Sequence, residues 1–64
     1  MTMQQMVETY INGNISDARK SAKHRRFKNI RIGFMDAGYS FRKATLTADF
    51  LKTGEGWQEA CDAN

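Results

Sequence analysis

Met3, Met6, Val7, Tyr10 and Ile11 fall at i, i+3, i+4, i+7 and i+8. That spacing puts all five on one side of a helix, whereas a strand would scatter them over both its faces. The pattern returns further along: Phe41, Ala44, Ala48 and Leu51 make a second stripe, and Trp57, Ala60 and Cys61 stand at i, i+3 and i+4. All four segments read as helix, and there is no proline. Glycine supplies the punctuation. Gly13, Gly38 and Gly54 each follow an apolar-periodic segment, where a helix end favours a residue that accepts positive φ. The pattern predicts an all-α fold.

Thr2 and Gln5 have the spacing of a capping box ahead of the first helix, which Asn12-Gly13-Asn14 stops. Asn14 or Ser16 caps the second, with Asp17 suited to the positive end of the helix dipole. Nothing punctuates that helix before about Asp36. Ser40 caps the third, Lys52 lies in its last turn, and Gly54 closes it. The expected architecture is one domain over residues 1–64, a compact bundle of three helices plus a short C-terminal helix. Its core is expected to contain Met6, Val7, Tyr10, Ile11, Ala22, Ile30, Phe34, Phe41, Ala44, Ala48, Leu51 and Trp57. Leu46 and Phe50 point away from the third helix's main stripe, so with Ile32 and Met35 they form a candidate apolar interface.

A chain of this length buries only about 60% of the surface its unfolded form exposes, so folds of this size commonly need a staple. Cys61 is the one cysteine and His24 the one histidine, which excludes an intrachain disulfide and argues against a structural zinc site within a monomer. Efficient helix packing or association as a homodimer remains. A lone thiol fits a reducing cytoplasm. The opening "MTMQQMVETY" has neither a basic region nor an apolar run, and no segment approaches the ~18 apolar residues of a membrane span. These features predict a complete, soluble, cytoplasmic product with no membrane partner.

Charge is distributed very unevenly. Seven of the ten Lys and Arg residues lie in "RKSAKHRRFKNIR", residues 19–31, and no acid occurs between Asp17 and Asp36. The remainder carries all seven acids and only Arg42, Lys43 and Lys52 against them. On one continuous second helix, Lys20, His24, Arg25, Lys28 and Arg31 share the half opposite Ala18, Ala22, Ile30 and Phe34. Like charges three or four apart repel, and five such pairs there cost on the order of 1 to 2.5 kcal/mol. Either the acids Glu8, Asp49, Glu55, Glu59 and Asp62 fold over the run, or an anionic partner offsets its repulsion.

For a nucleic-acid partner, Lys20, His24, Arg25, Lys28 and Arg31 supply phosphate contacts, with Arg42 and Lys43 at the start of the third helix. A helix-turn-helix reading would put Gly38 in the turn and Arg42, Lys43 and Thr45 on the recognition helix. Phe34 stands where that motif wants a small residue, which argues against it. Aromatic interleaving in the run is limited to Phe27. An acidic protein surface would suit the same cations, assisted by Ile32, Met35, Leu46 or Phe50. A membrane-surface helix is disfavoured because Arg19, Lys23 and Arg26 intrude on the apolar half.

Nothing in the chain reads as a catalytic constellation. There is no nucleophile–base pair and no carboxylate pair in a credible cleft. Gly54 and Gly56 in "TGEGW" precede no Lys-Ser or Lys-Thr, so they form no phosphate loop. His24 is expected to face solvent, Cys61 to pack, Met3 and Met6 to fill gaps, and Trp57 to anchor the tail. The expectation is a non-enzyme with no cofactor, no metal and no small-molecule substrate.

"NGNISDARKSAK" (residues 12–23) and "KATLTADFLKTGEGWQEACDA" (residues 43–63) resemble small helical proteins encoded by bacteriophages and other mobile elements of proteobacteria. The two stretches cover about half the chain. The resemblance implies an accessory protein acting in the bacterial host's cytoplasm by binding a host or viral macromolecule, and it brings no site residues with it. Host-defence inhibitors are among such proteins. The combined expectation is non-enzymatic binding of an anionic macromolecule, nucleic acid ahead of acidic protein, through the basic face of the second helix. The alternative is a protein-interaction module that modulates a host protein through an apolar and basic surface.

Overall fold

The computed structural model describes residues 1–64 and is all-helical: α1 (Met3–Ile11), α2 (Ile15–Ala22), α3 (Phe27–Asp36), α4 (Phe41–Thr53) and α5 (Trp57–Asp62). Capping sets most of the starts. Thr2 and Gln5 make the reciprocal capping box, with Gln5 N–H donating to Thr2 Oγ1 at 3.1 Å and Thr2 N–H to Gln5 Oε1 at 2.8 Å. Asn14 accepts from Asp17 N–H at the head of α2, and Ser40 Oγ accepts from Lys43 N–H at the head of α4. Gly54 closes α4 in the left-handed region, φ 81°, where a Cβ would also collide with the Arg19 guanidinium.

The segment expected as one helix is two, α2 and α3, joined by a corner at residues 23–26. No glycine or proline marks the break. Its chemistry lies in the charges of the run and in α4. The corner takes Lys23/Arg26 and Arg25/Lys28 off a shared helix ladder, relieving their repulsion. At the corner the Arg25 carbonyl has Lys52 Nζ as its donor at 2.6 Å, and the Ala22 carbonyl accepts from Arg25 N–H at 3.0 Å and from Lys52 Nζ at 3.2 Å.

α3 packs chiefly on α4, α1 on α2, and α5 lies against α4. The core is Met6, Val7, Tyr10, Ala18, Ala22, Ile30, Phe34, Ala44, Ala48, Phe50, Leu51 and Ala60. Five of these twelve are alanines, which lets the helices approach closely and makes each large side chain count. Phe34 is central: its ring meets Tyr10 edge-on at 5.2 Å and Tyr39 at 5.2 Å. Thr47 is the one buried polar residue. Its hydroxyl is near enough to Tyr10 to offset part of the upward push that burial exerts on that phenol's pKa, yet it makes no hydrogen bond of proper geometry.

Five expectations about packing are corrected. Ile11 ends α1 and is exposed. Phe41 opens α4 and is 59% exposed, while Tyr39 in the preceding turn packs on Phe34 instead. Trp57 is 45% exposed because six-residue α5 covers the core with one face of the ring, which rests on Phe50 at 5.0 Å. Phe50, expected on the outside, is only 7% exposed beneath it. Cys61, expected to pack, is exposed. No helix is long and apolar enough to cross a membrane.

Candidate nucleic-acid interface

The corner between α2 and α3 gathers the most open part of the basic run. The N-cap position of α3 is Arg26, whose side chain has no oxygen with which to cap the helix, and no other side chain does so. The N–H groups of Arg26, Phe27, Lys28 and Asn29 therefore have no acceptor within the protein. These are the unpaired donors of a helix's positive end. Around them Lys20, Lys23, His24, Arg26 and Lys28 are all exposed. An open concavity of about 560 Å³ beside the corner is lined by Met1, Asp17, Lys20, Ser21, His24 and Arg25. A second, of about 430 Å³, is lined by Ile15, Ser16, Arg19, Lys20, Lys23 and Phe50 and contains no acid.

Other cations of the expected site are engaged inside the fold. Arg25 donates from Nε to Ser21 Oγ at 3.2 Å and from its terminal nitrogen to the Met1 carbonyl. Lys43 donates to the carbonyls of Cys61 at 3.3 Å and Ala63 at 3.2 Å, and lies over the Tyr39 ring. It thereby closes the C-terminal end of α5 in the way a base at a helix end should. Arg42 is exposed. Arg31 is half-buried, with its guanidinium carbon 4.8 Å from the Phe41 ring centre and 5.8 Å from that of Phe27. The five cations expected on one helix face are thus divided between a corner that faces solvent and side chains that hold the fold.

Asp17 is the one acid lining the two concavities beside the corner. Asp49, Glu55 and Glu59 line a separate shallow concavity with Leu46, Thr53 and Gly56. Asp17 is bonded by Asn14, and Asp62 by Gln58. Every hydrogen bond donated by a Lys or Arg side chain ends on a hydroxyl or a backbone carbonyl. The charge separation legible in the sequence is therefore kept in three dimensions.

Of the candidate apolar interface, Ile32 and Met35 are exposed, Leu46 is half-buried against the core, and Phe50 is buried. No group of three or more His, Cys, Asp or Glu side chains is arranged to hold a metal. Two features escaped the sequence reading. The acceptor-free start of α3 was hidden because the run has no punctuation. Phe41 was hidden because its spacing matches the core stripe of α4. Comparison with protein-family models, with curated proteins and with solved structures finds no match to this chain.

Proposed function

We propose that this protein is a small, non-enzymatic nucleic-acid-binding module that grips the phosphate backbone at the α2–α3 corner. The observation that carries the reading is the four acceptor-free N–H groups of Arg26–Asn29, set among the exposed Lys20, Lys23, His24, Arg26 and Lys28. A helix N-terminus combined with side-chain cations is a general solution for phosphate. Arg42 extends the contact at the head of α4, whereas Arg25 and Lys43 serve it indirectly by holding the corner and the C-terminal segment. The resemblance to phage and mobile-element proteins supports a setting in the bacterial cytoplasm, where an accessory protein of this kind acts on host or viral nucleic acid.

The test is fluorescence anisotropy with labelled duplex DNA and single-stranded RNA at about 50 and about 200 mM salt. Four phosphate contacts on a single strand predict a loss of about fifty-fold across that range, and more on duplex. Absence of binding at the lower salt would refute the proposal. A second reading rests on the exposure of Ile32 and Met35 along α3. It makes this edge a docking site for a host protein, as in helix-groove recognition. A partner held that way would be insensitive to charge at the corner.

A further inference from the structure

We infer that the nucleic acid is single-stranded, with one base stacked on the open face of Phe41 and the adjoining phosphates met by Arg42 and Lys28. The inference rests on the phosphate-binding reading above and adds the form of the partner and a contact to a base.

Phe41 is the anomaly that requires an explanation. A domain with so few large buried side chains leaves a phenylalanine 59% exposed at the first position of α4. The ring is nevertheless supported. The Arg31 guanidinium lies over it at 4.8 Å and over Phe27 at 5.8 Å, inside the range of cation–π attraction. Arg31 Nε is shut off from water and has no hydrogen-bond partner, so the rings position this group where hydrogen bonds do not. With a guanidinium against one face, the face left to solvent is a flat apolar plate held in place in advance. A base placed on it extends an existing stack and needs little rearrangement of the protein.

Two exposed cations close to Phe41 and Arg31 in sequence suit a polyanion. Arg42 follows the ring directly and is exposed, and Lys28 stands one turn before Arg31 on α3. The other large exposed aromatic ring makes the contrast. Trp57 rests on Phe50 and Tyr10, and Glu55 and Glu59 flank it, so a phosphate beside it would be repelled. Only an unpaired base offers a whole face for stacking, because in a duplex both faces are already covered by neighbours. Sequence preference is expected to be weak, since every base has such a face.

Anisotropy with three labelled strands of about 12 nucleotides tests this: oligothymidylate, an abasic strand of the same length, and a duplex. The unaltered protein is expected to bind oligothymidylate about tenfold tighter than the abasic strand, the gain from one stacked base. Phe41→Ala and Phe41→Leu should each lose that advantage and keep the affinity for the abasic strand, and Phe41→Trp should restore it. Circular dichroism of each variant confirms the fold, and the abasic comparison requires no variant at all. Equal affinity for the abasic and base-bearing strands would overturn the stacking inference and leave the phosphate reading standing. Tighter binding to the duplex would do the same. Failure to bind any of the three strands would overturn both.

Discussion

The ammonium of Lys52 donates a hydrogen bond to the backbone carbonyl of Arg25 at 2.6 Å, tying the last turn of α4 to the corner between α2 and α3. The same nitrogen bonds the Ala22 carbonyl at 3.2 Å. In an uninterrupted helix those two carbonyls would accept from the N–H groups of Arg26 and Asn29. Lys52 thus supplies the donor that the Arg25 carbonyl lacks and a second one to the Ala22 carbonyl, which keeps Arg25 N–H, while the N–H groups of Arg26 and Asn29 are left without an acceptor. Lys52→Met keeps most of the stem and removes both bonds. It should lower stability by about 1 kcal/mol, less than the ~1.5–3 of a charged hydrogen bond because the ammonium is exposed. In a domain this small that corresponds to roughly 4–8 °C in Tm, measured by circular dichroism. An unchanged Tm would mean that water serves these carbonyls equally well.

Phe34 is fully buried and touches both Tyr10 and Tyr39 with its ring. Truncation of a buried phenylalanine to alanine costs about 3–5 kcal/mol, comparable with the whole stability of a domain of this length. Phe34→Ala should therefore be largely unfolded at room temperature, with its helical circular dichroism lost. Phe34→Leu keeps most of the volume and should remain folded with a lower Tm. A cooperative, near-normal melt for Phe34→Ala would show that the core has a second centre.

Thr47 presents the opposite case, a buried hydroxyl with no hydrogen-bond partner. Replacing it with the similarly shaped valine removes an unmatched polar atom and retains the packing. Thr47→Val should raise stability by about 1 kcal/mol, since an orphaned polar group costs about that much or more. Chemical denaturation reads the change directly as a shift in midpoint at constant slope. A destabilised variant would show instead that the hydroxyl pairs with Tyr10 in solution.

These contacts mark where the sequence was legible. The all-helical fold and the starts of α1 and α4 follow from local rules, since Thr2, Gln5 and Ser40 act within their own first turns. The break at residues 23–26 does not, because its partner Lys52 is twenty-seven positions from Arg25. Helical spacing also could not rank positions within a stripe. Phe41 and Ala44 have the same periodic standing, yet Ala44 is buried and Phe41 lies outside at the helix start. The basic run was visible as composition. Which cations stay free was decided by tertiary contacts: Arg25 and Lys43 meet carbonyls, and Lys20, Lys23 and Lys28 meet solvent.

Tyr10 and Tyr39 set the response to alkali. Burial pushes both phenols above the ordinary value of 10.0, and the charge of nearby Cys61 adds to the shift. A raised pKa means the folded state retains these protons after the unfolded state has begun to lose them. By linkage, the stabilisation is fully present below pH 10.0 and is lost as pH rises through the folded-state values. Melts recorded at rising pH should therefore show Tm falling from about pH 10 upward. Tyr10→Phe and Tyr39→Phe should each flatten that fall. An alkaline limb that neither substitution alters would exclude the tyrosines as its source.

Charge reversal at the corner separates phosphate binding from every structural role of the basic run. Lys20, Lys23 and Lys28 are exposed, and their side chains donate no hydrogen bond within the fold, so changing all three to Glu removes repulsion without removing a contact. Stability should hold or rise. Binding to a labelled strand should fall at least tenfold, and the slope of log affinity against log salt should become shallower by about 2, since each phosphate contact on a single strand contributes about 0.7. Lys43→Met should behave in reverse. It loses the bonds to the Cys61 and Ala63 carbonyls and should lower Tm while changing the salt slope little. The two outcomes are independent because the two sets of lysines are spent differently by the fold. If the triple variant bound nucleic acid as the natural sequence does, the corner would not be the phosphate site, and the exposed Ile32 and Met35 of α3 would become the surface to probe next.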